Sequence, residues 1–310
     1  MKVSAIICSV GRAEVLKDTV ESLLRQSYPV DEIIIGTPSS ENIAQASLSH
    51  AAVKLVLTPM GLTVQRNVCL SRVAPSSELI AFFDDDMELS PSYLAAMVAL
   101  FKRDPELVAS SGNLLYDGGI GKCISRGRAK ELCEETAIEW KENDAIRTLP
   151  RRFAYGCNMV YRASAISTIK FDEGLPLYGW LEDSDFSHAA SKGRPAPVTN
   201  CEAYAVHLGW RSGRIAGRRL GFSQIVNPFY LWRKSRVFPL RQIAIHYWLR
   251  CLVGNVLGLM FGEPIEDRPG RLYGNCLGFV HLLRGKADPQ HAMNIGSRPV
   301  KAGVGSRKLV

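Results

Sequence analysis

The chain has 310 residues, enough for one full-sized domain with an appendage and too few for three independent domains. Hydrophobic residues make up 46% and charged residues 22%, close to the averages of soluble globular proteins, which excludes wholesale disorder and a linker role. The net charge of +8 is unevenly placed: residues 208–310 hold 17 Lys/Arg and 4 Asp/Glu, a balance of +13 that leaves −5 for residues 1–207. An acidic first part suits a metal site, and a basic second part suits phosphates, an anionic membrane surface or nucleic acid, or is simply a solvated face.

Short apolar runs rich in β-branched and aromatic residues occur at Val3–Cys8, Ile33–Ile35, Val53–Leu57 and Leu79–Phe83, each separated by a stretch able to form a helix. That alternation predicts an α/β fold with a parallel sheet. Leu16, Val20, Leu23 and Leu24 recur at helical spacing, and Tyr28-Pro29 closes their segment. Ser39–Leu48 and Thr63–Val73 read as helices opened by hydroxyl caps. Tyr93–Phe101 reads as a helix after Ser90-Pro91. Glu106–Gly112 and Phe153–Tyr161 read as strands on either side of a charged excursion, Asp117–Pro150, that has no clear periodicity.

From Gly209 the character changes to an Arg-rich stretch, a candidate helix at Ile225–Arg236 and an apolar run at Ile243–Phe261. His246, Arg250 and Asn255 interrupt that run. Because one arginine at mid-bilayer costs roughly 2.5–3.5 kcal/mol, a helix packed on the protein or lying at a membrane surface is expected, flanked by Arg233, Lys234, Arg236 and Arg241. Ser297–Val310 reads as a mobile basic tail. Eight cysteines show no zinc-knuckle or redox spacing and read as free buried thiols; the apolar start Val3–Cys8 is too short for a signal-peptide core. A cytoplasmic setting is expected, with the basic part peripheral on the inner membrane surface.

Open parallel sheets bind ligands at the carboxyl ends of their strands, where Cys8–Arg12, Gly36–Ser40 and Asp84–Asp86 fall. The strongest local signal is LIAFFDDDMELSP, in which a buried strand delivers three consecutive carboxylates to its end. Three neighbouring negative charges favour protonation of one member unless a cation compensates them, and hard oxygen ligands point to Mg²⁺ or Mn²⁺. The competing reading is a solvated acidic turn. On an extended segment Asp84 and Asp86 face one way and Asp85 the other.

The chain resembles the inverting family 2 glycosyltransferases of the GT-A fold over residues 1–235. The likeness rests on AIICSVGR, QSYP, EIIIG, Arg66-Asn67 in GLTVQRN, the Asp-x-Asp motif Asp84-Asp85-Asp86 followed by Pro91, and the acceptor-site segment GWLEDSDFSHAASKG. The resemblance implies a GT-A catalytic domain over 1–208, with a nucleotide-sugar-binding half 1–112 and an acceptor-side half 113–208. A basic helical region follows over 209–296, then the tail 297–310. It implies an α/β architecture whose central sheet is mostly parallel.

The same resemblance implies transfer of a sugar from a nucleoside-diphosphate sugar to a hydroxyl of a saccharide or polyprenyl-diphosphate-linked acceptor, as in polysaccharide biosynthesis. Cys8, Ser9, Arg12, Gly36, Arg66, Asp84 and Asp85 are the implied donor-binding residues; Arg12 and Arg66 read equally as ordinary surface arginines. Asp84 and Asp86 are implied metal ligands, completed by His207 at the end of AYAVH; a lone histidine is more often structural, and imidazole would favour Mn²⁺. Asp183 is the implied catalytic base, Glu182 hydrogen-bonds the acceptor, and Trp180 offers an apolar platform to a sugar face. Helix N-terminal preference alone would also explain the acidic residues at 182, 183 and 185.

Gly36-Thr37-Pro38 stands where many family members carry a base-reading acidic residue, so the sequence does not select among UDP, dTDP and GDP sugars. ICSVGRAEV lacks the G-x-G-x-x-G turn of dinucleotide-binding oxidoreductases. A nucleotidyltransferase using the same aspartates lacks its glycine-rich basic phosphate loop here. A non-catalytic basic module binding a membrane surface is the remaining alternative, and without a nucleic-acid motif beside NPFYLWRKSR nucleic acid is not an expected partner.

Overall fold

The computed structural model describes residues 1–43, 49–136, 145–212, 215–261 and 267–296. The chain divides into two compact units, Met1–Arg214 and Ile215–Val310.

In the first unit, β1 (Val3–Cys8), β2 (Glu32–Thr37), β3 (Val53–Leu57) and β4 (Leu79–Phe83) are parallel in the order β3-β2-β1-β4. The near-continuous apolar sequence of β1, β2 and β4 follows from burial on both faces, whereas β3 at the sheet edge is only partly covered. Val3, Ala5 and Ile7 share one core with Leu16, Val20 and Leu23 of α1 (Ala13–Leu24). Ile6, Ile34 and Phe82 enter the opposite core with Cys69 of α2 (Leu62–Leu70).

Past β4 the sheet becomes mixed. β8 (Asn158–Arg162) lies antiparallel between β4 and β6 (Ala109–Asp117). β9 (Val198–His207) runs parallel to β6 and carries β5 (Met87–Leu89) and β7 (Thr148–Pro150) antiparallel to itself. Among the described residues nine strands form one sheet, and these pairings leave β5, β7 and β8 as the strands that run against the rest. Helices α3 (Tyr93–Arg103), α4 (Arg126–Glu135), α5 (Ala163–Ile166) and α6 (Glu182–Ala190) complete the unit.

Several segments depart from the sequence reading for local reasons. β5 and β7 span three residues each, too few for an alternating pattern to register. The strand expected from Phe153 begins only at Asn158, because a turn closed by the Asn158 amide on the Tyr155 carbonyl (3.1 Å) interrupts it. β6 continues past Gly112 to Asp117 through two register shifts. Gly112 is required there, since a Cβ would press into the Tyr93 ring and the Ala203 carbonyl. Within Ser39–Leu48 the described part forms a short 3₁₀ turn, Ser40–Asn42, capped by the Ser39 hydroxyl, and 44–48 lie outside the described residues. The 117–150 excursion contains α4, with 137–144 outside the described residues, as is the 297–310 tail. All eight thiols are free, but only Cys69, Cys133, Cys157 and Cys201 are buried; Cys8 and Cys251 are partly exposed and Cys123 and Cys276 exposed.

In the second unit α7 (Gly217–Ser235) is followed by one helical run: α8 (Leu240–Gln242), a π-helical segment at Ile243–Leu249, and α9 (Arg250–Met260). α10 (Arg268–Leu283) and a 3₁₀ turn at Pro289–Asn294 close the unit.

An aromatic cluster supports α6. Phe186 stacks on Phe171 with centroids 3.9 Å apart and meets Tyr161 edge-on at 5.1 Å. Phe186→Ala removes this support and is expected to cost about 3–5 kcal/mol, read as a lowered denaturant midpoint with unchanged slope.

Candidate active site

The three aspartates occupy the tight link between β4 and β5, and their side chains separate as an extended segment requires. Asp85 turns inward, accepting from the Ser9 hydroxyl (2.5 Å) and from Arg12 Nη1 (2.7 Å). Burial pushes its carboxyl upward, and the Arg12 guanidinium opposes that shift. Arg12 is fixed in turn on the Ser212 carbonyl, 2.7 Å from Nε. Thr19 of α1 fastens the link from beneath, its hydroxyl donating to the Asp85 carbonyl (2.7 Å) or the Met87 carbonyl (2.9 Å).

Asp84 and Asp86 face His207, which ends β9 opposite Met87. His207 Nε2 lies 3.3 Å from Asp86 Oδ1 and 3.9 Å from Asp84 Oδ2, and one ligand atom from each of the three falls within 4.8 Å of the others. The second oxygen of Asp86 accepts the Trp210 amide at 2.6 Å. Behind the histidine, Nδ1 meets Asp117 Oδ1 at 2.8 Å, and Tyr155 donates its hydroxyl to Asp117 Oδ2 at 2.8 Å. Asp117 therefore fixes the ring so that Nε2 points at the two carboxylates. Burial lowers the proton affinity of His207, but hydrogen bonds to Asp117 and Asp86 and the charges of Asp86 and Asp84 outweigh it and lift the group to about 10. The set of two carboxylate oxygens and one imidazole nitrogen fits a divalent cation, with the imidazole favouring Mn²⁺ over Mg²⁺.

Arg66, only 2% exposed, lies between this cluster and α6. Its guanidinium pairs closely with Glu182, contacts Asp84 Oδ1 at 3.5 Å and donates to the Gly156 carbonyl at 2.9 Å. The rings of Phe171 and Phe82 lie 5.3 and 5.8 Å from it. Arg66 is thus a buried connector and not a surface arginine. Burial pushes Glu182 upward against the pull of Arg66, and the buried Glu182 Oε2 has no hydrogen-bond partner.

Asp183 is half-buried and accepts two amide protons, from Gly156 (3.0 Å) and from Ser184 (2.7 Å). Burial raises its carboxyl above the usual range although both amides act the other way. Trp180 lies partly exposed in the loop just before α6. In that loop Leu177, Gly179 and Leu181 all have positive φ, a conformation that costs roughly 1–2 kcal/mol for each non-glycine residue. Cys8 and Gly36 lie side by side near the Cys69 thiol, with Cys8 Sγ 3.5 Å from where a Gly36 Cβ would be.

Sequence reasoning named the residues that converge here but missed Asp117, Tyr155 and Gly156. The signal for Asp117 was the Asp-Gly-Gly turn at 117–119, which a strand ended at Gly112 hid.

Fold and site together define a GT-A-type transferase: a mixed sheet with an acidic link at the end of a central strand, faced by a helix bearing further carboxylates. The chain belongs to glycosyl transferase family 2, whose family model matches residues 4–170, a span that includes Arg66 and the three aspartates and stops before α6 and His207. A glucosyl-dolichyl phosphate glucuronosyltransferase from Haloferax volcanii is 27% identical over 124 residues, 38% of this chain and 39% of that protein. The fold is similar to that of S. aureus TarS residues 1–349, solved in complex with UDP-GlcNAc (15% identity, TM-score 0.56, 94% of this chain and 83% of that one). It is also similar to the mannosyltransferase PcManGT from Pyrobaculum calidifontis, solved in complex with GDP-Man and Mn²⁺ (13% identity, TM-score 0.54, 94% and 85%).

Since a cation binding there would displace the proton that Asp117 and Asp86 hold on His207, affinity for Mn²⁺ is expected to rise with pH across the neutral range, with proton release on binding. Calorimetry in two buffers of different ionisation enthalpy measures both. Asp117→Asn, which leaves the ring less firmly oriented, is expected to weaken Mn²⁺ binding by roughly 10–100-fold in the same titration.

Proposed function

We propose that this chain moves one sugar from a nucleoside-diphosphate donor to a hydroxyl of a saccharide or polyprenyl-diphosphate-linked acceptor, by single displacement with inversion. The observation that carries this reading is the continuity of the site: Asp84, Asp86 and His207 connect through Arg66 to Glu182 and its neighbour Asp183. Family membership, the nucleotide sugars bound by TarS and PcManGT, and the dolichyl phosphate acceptor in the name of the Haloferax relative support it. Eight free thiols are in keeping with a cytoplasmic setting, where nucleotide sugars are available.

Asp84, Asp86 and His207 would hold Mn²⁺ or Mg²⁺, which when bound neutralises charge on the departing diphosphate. Cys8, Ser9, Gly36, Arg12 and Asp85 form the donor side, with Asp85 keeping Arg12 oriented. Asp183 takes the proton of the acceptor hydroxyl as its oxygen bonds to the anomeric carbon. The bond from that carbon to the diphosphate oxygen breaks on the opposite face, and its electron pair leaves with the nucleoside diphosphate. The raised proton affinity of Asp183 improves it as a base. The two amides that it accepts fix one orientation. Glu182, held by Arg66, keeps one unpartnered oxygen for an acceptor hydroxyl, and Trp180 supplies a flat apolar surface.

Asp183→Asn is expected to bind donor and metal as the parent does while losing about 10²–10⁴-fold in kcat. Asp86→Ala is expected to abolish metal-dependent thermal stabilisation by the nucleotide sugar. Undiminished turnover in Asp183→Asn would remove the base assignment, and release of pyrophosphate in place of nucleoside diphosphate would convert the reading to nucleotidyl transfer. In the parent, kcat is expected to fall on acidification at a pH above the usual carboxylate range, because protonated Asp183 cannot accept a proton.

A further inference from the structure

The second unit buries Phe222, Ile225, Val226, Leu231, Phe238 and Ile243 in an apolar core, and beside that core it also buries a polar network. Asn255 of α9 donates to Asn275 Oδ1 of α10 (2.8 Å) and to Gln224 Oε1 of α7 (3.2 Å), and Arg268 Nη1 donates to Asn255 Oδ1 (3.0 Å). Asn275 closes the network on the Gly221 carbonyl at 2.8 Å. Asn255 and Asn275 are 1% and 0% exposed.

Small residues bring the helices together. Gly217 and Gly221 on α7 face a four-residue repeat on α10, Gly270, Gly274 and Gly278. A Cβ on Gly221 would collide with the Arg271 carbonyl and one on Gly274 with the Arg218 carbonyl. Glycine-spaced contact with polar side chains as glue is the packing that helices use where no hydrophobic drive holds them together.

Along Leu240–Met260, by contrast, several large apolar side chains point outward, although Ile243 is buried. Ile245, Leu249, Val253, Val256, Leu257 and Met260 are 42–72% exposed and recur every three or four residues along Leu240–Met260. That run is 21 residues long, with a mean hydropathy of 1.4 and 11% of its most apolar window buried. It is the one helix among the described residues long and apolar enough to cross a membrane, and length and composition alone are weak grounds. Two features decide between crossing and lying flat. Arg250 is exposed near its middle, and Asn255 ties its inner face to α7 and α10, which carry Arg219, Arg233 and Arg271.

We propose that the outer face of Leu240–Met260 lies within one leaflet of an anionic bilayer. Apolar side chains enter the acyl boundary, and Arg241 and Arg250 stay level with lipid phosphates. Charge selects the occupant: residues 215–310 hold 15 Lys/Arg and 4 Asp/Glu, a balance of +11, which an anionic surface complements and a second copy of the same unit does not. The proposal concerns the second unit alone and is independent of the transfer chemistry above.

The test is co-sedimentation of the full chain with vesicles of phosphatidylcholine containing phosphatidylglycerol or none. Binding is expected only with the anionic lipid and is expected to fall as salt rises. Leu257→Glu/Met260→Glu, two exposed positions whose change disturbs no internal packing, is expected to weaken vesicle binding by roughly 10-fold or more. Arg241→Glu/Arg250→Glu is expected to weaken it and to reduce its salt dependence. Metal-dependent donor binding, read as thermal stabilisation, is expected to be unchanged in both variants. A parent chain that stays in the supernatant at low salt would overturn the proposal. So would a concentration-dependent dimer that the Leu257/Met260 variant dissolves, because it would assign the face to a second copy.

Discussion

One buried positive charge organises the catalytic unit. A guanidinium at 2% exposure is tolerable only if carboxylates and carbonyls surround it, and removing any one of them leaves an uncompensated charge in a low-dielectric interior. Arg66 meets that demand with Asp84 from the end of β4, Glu182 from the start of α6 and the Gly156 carbonyl from the turn before β8. Three segments distant in sequence are thereby set in register. The electrostatic requirement of one side chain is also the geometric bond between the two sides of the site.

The histidine side of the cluster is arranged by the same logic. Two carboxylates near an imidazole favour its protonated form, so a divalent cation binding there would have to displace that proton. Tyr155 and the Gly119 amide (2.9 Å) keep Asp117 in place, so that the ring it holds does not depend on the ligand for its orientation. The positive-φ loop before α6 adds a comparable constraint beside Glu182 and Asp183: residues held in unfavourable backbone conformations are those whose surroundings fix them firmly.

Much of this was legible in the sequence because the strongest signals are local. The first four strands coincide with apolar runs bounded by polar turns, and the triple aspartate follows one of them directly. What stayed hidden depends on pairing between distant segments. β5 exists because β9 is there to pair with it, and nothing in Met-Glu-Leu announces a strand. The Arg66–Glu182 pair spans 116 positions, so GLTVQRN and GWLEDSD could be read as two motifs but not as one interaction. Asp117 was lost for a different reason: two bulges carry β6 five residues past the point where its alternation breaks. In the second unit the sequence reading reached the later part of α7 and the apolar run of α9 but neither α10 nor the buried Asn255–Asn275–Gln224 network, which requires knowing which side each helix presents to its neighbours.

The connection from β4 to β5 carries a further implication. β4 sits mid-sheet beside β1 and β8, whereas β5 pairs at the far side of β9, yet three residues join them. The four steps from Phe83 to Met87 reach roughly 13–14 Å at full stretch, less than the four strand spacings of about 4.8 Å each that a flat sheet would put between β4 and β5, so the sheet bends between them. The carboxylates are therefore the stitch across that bend, and it leaves their spacing little freedom. Lengthening the stitch by a single amino acid would flip the alternation of its side chains and loosen that bend at once, which makes this stretch far less permissive of insertion than an ordinary surface connection.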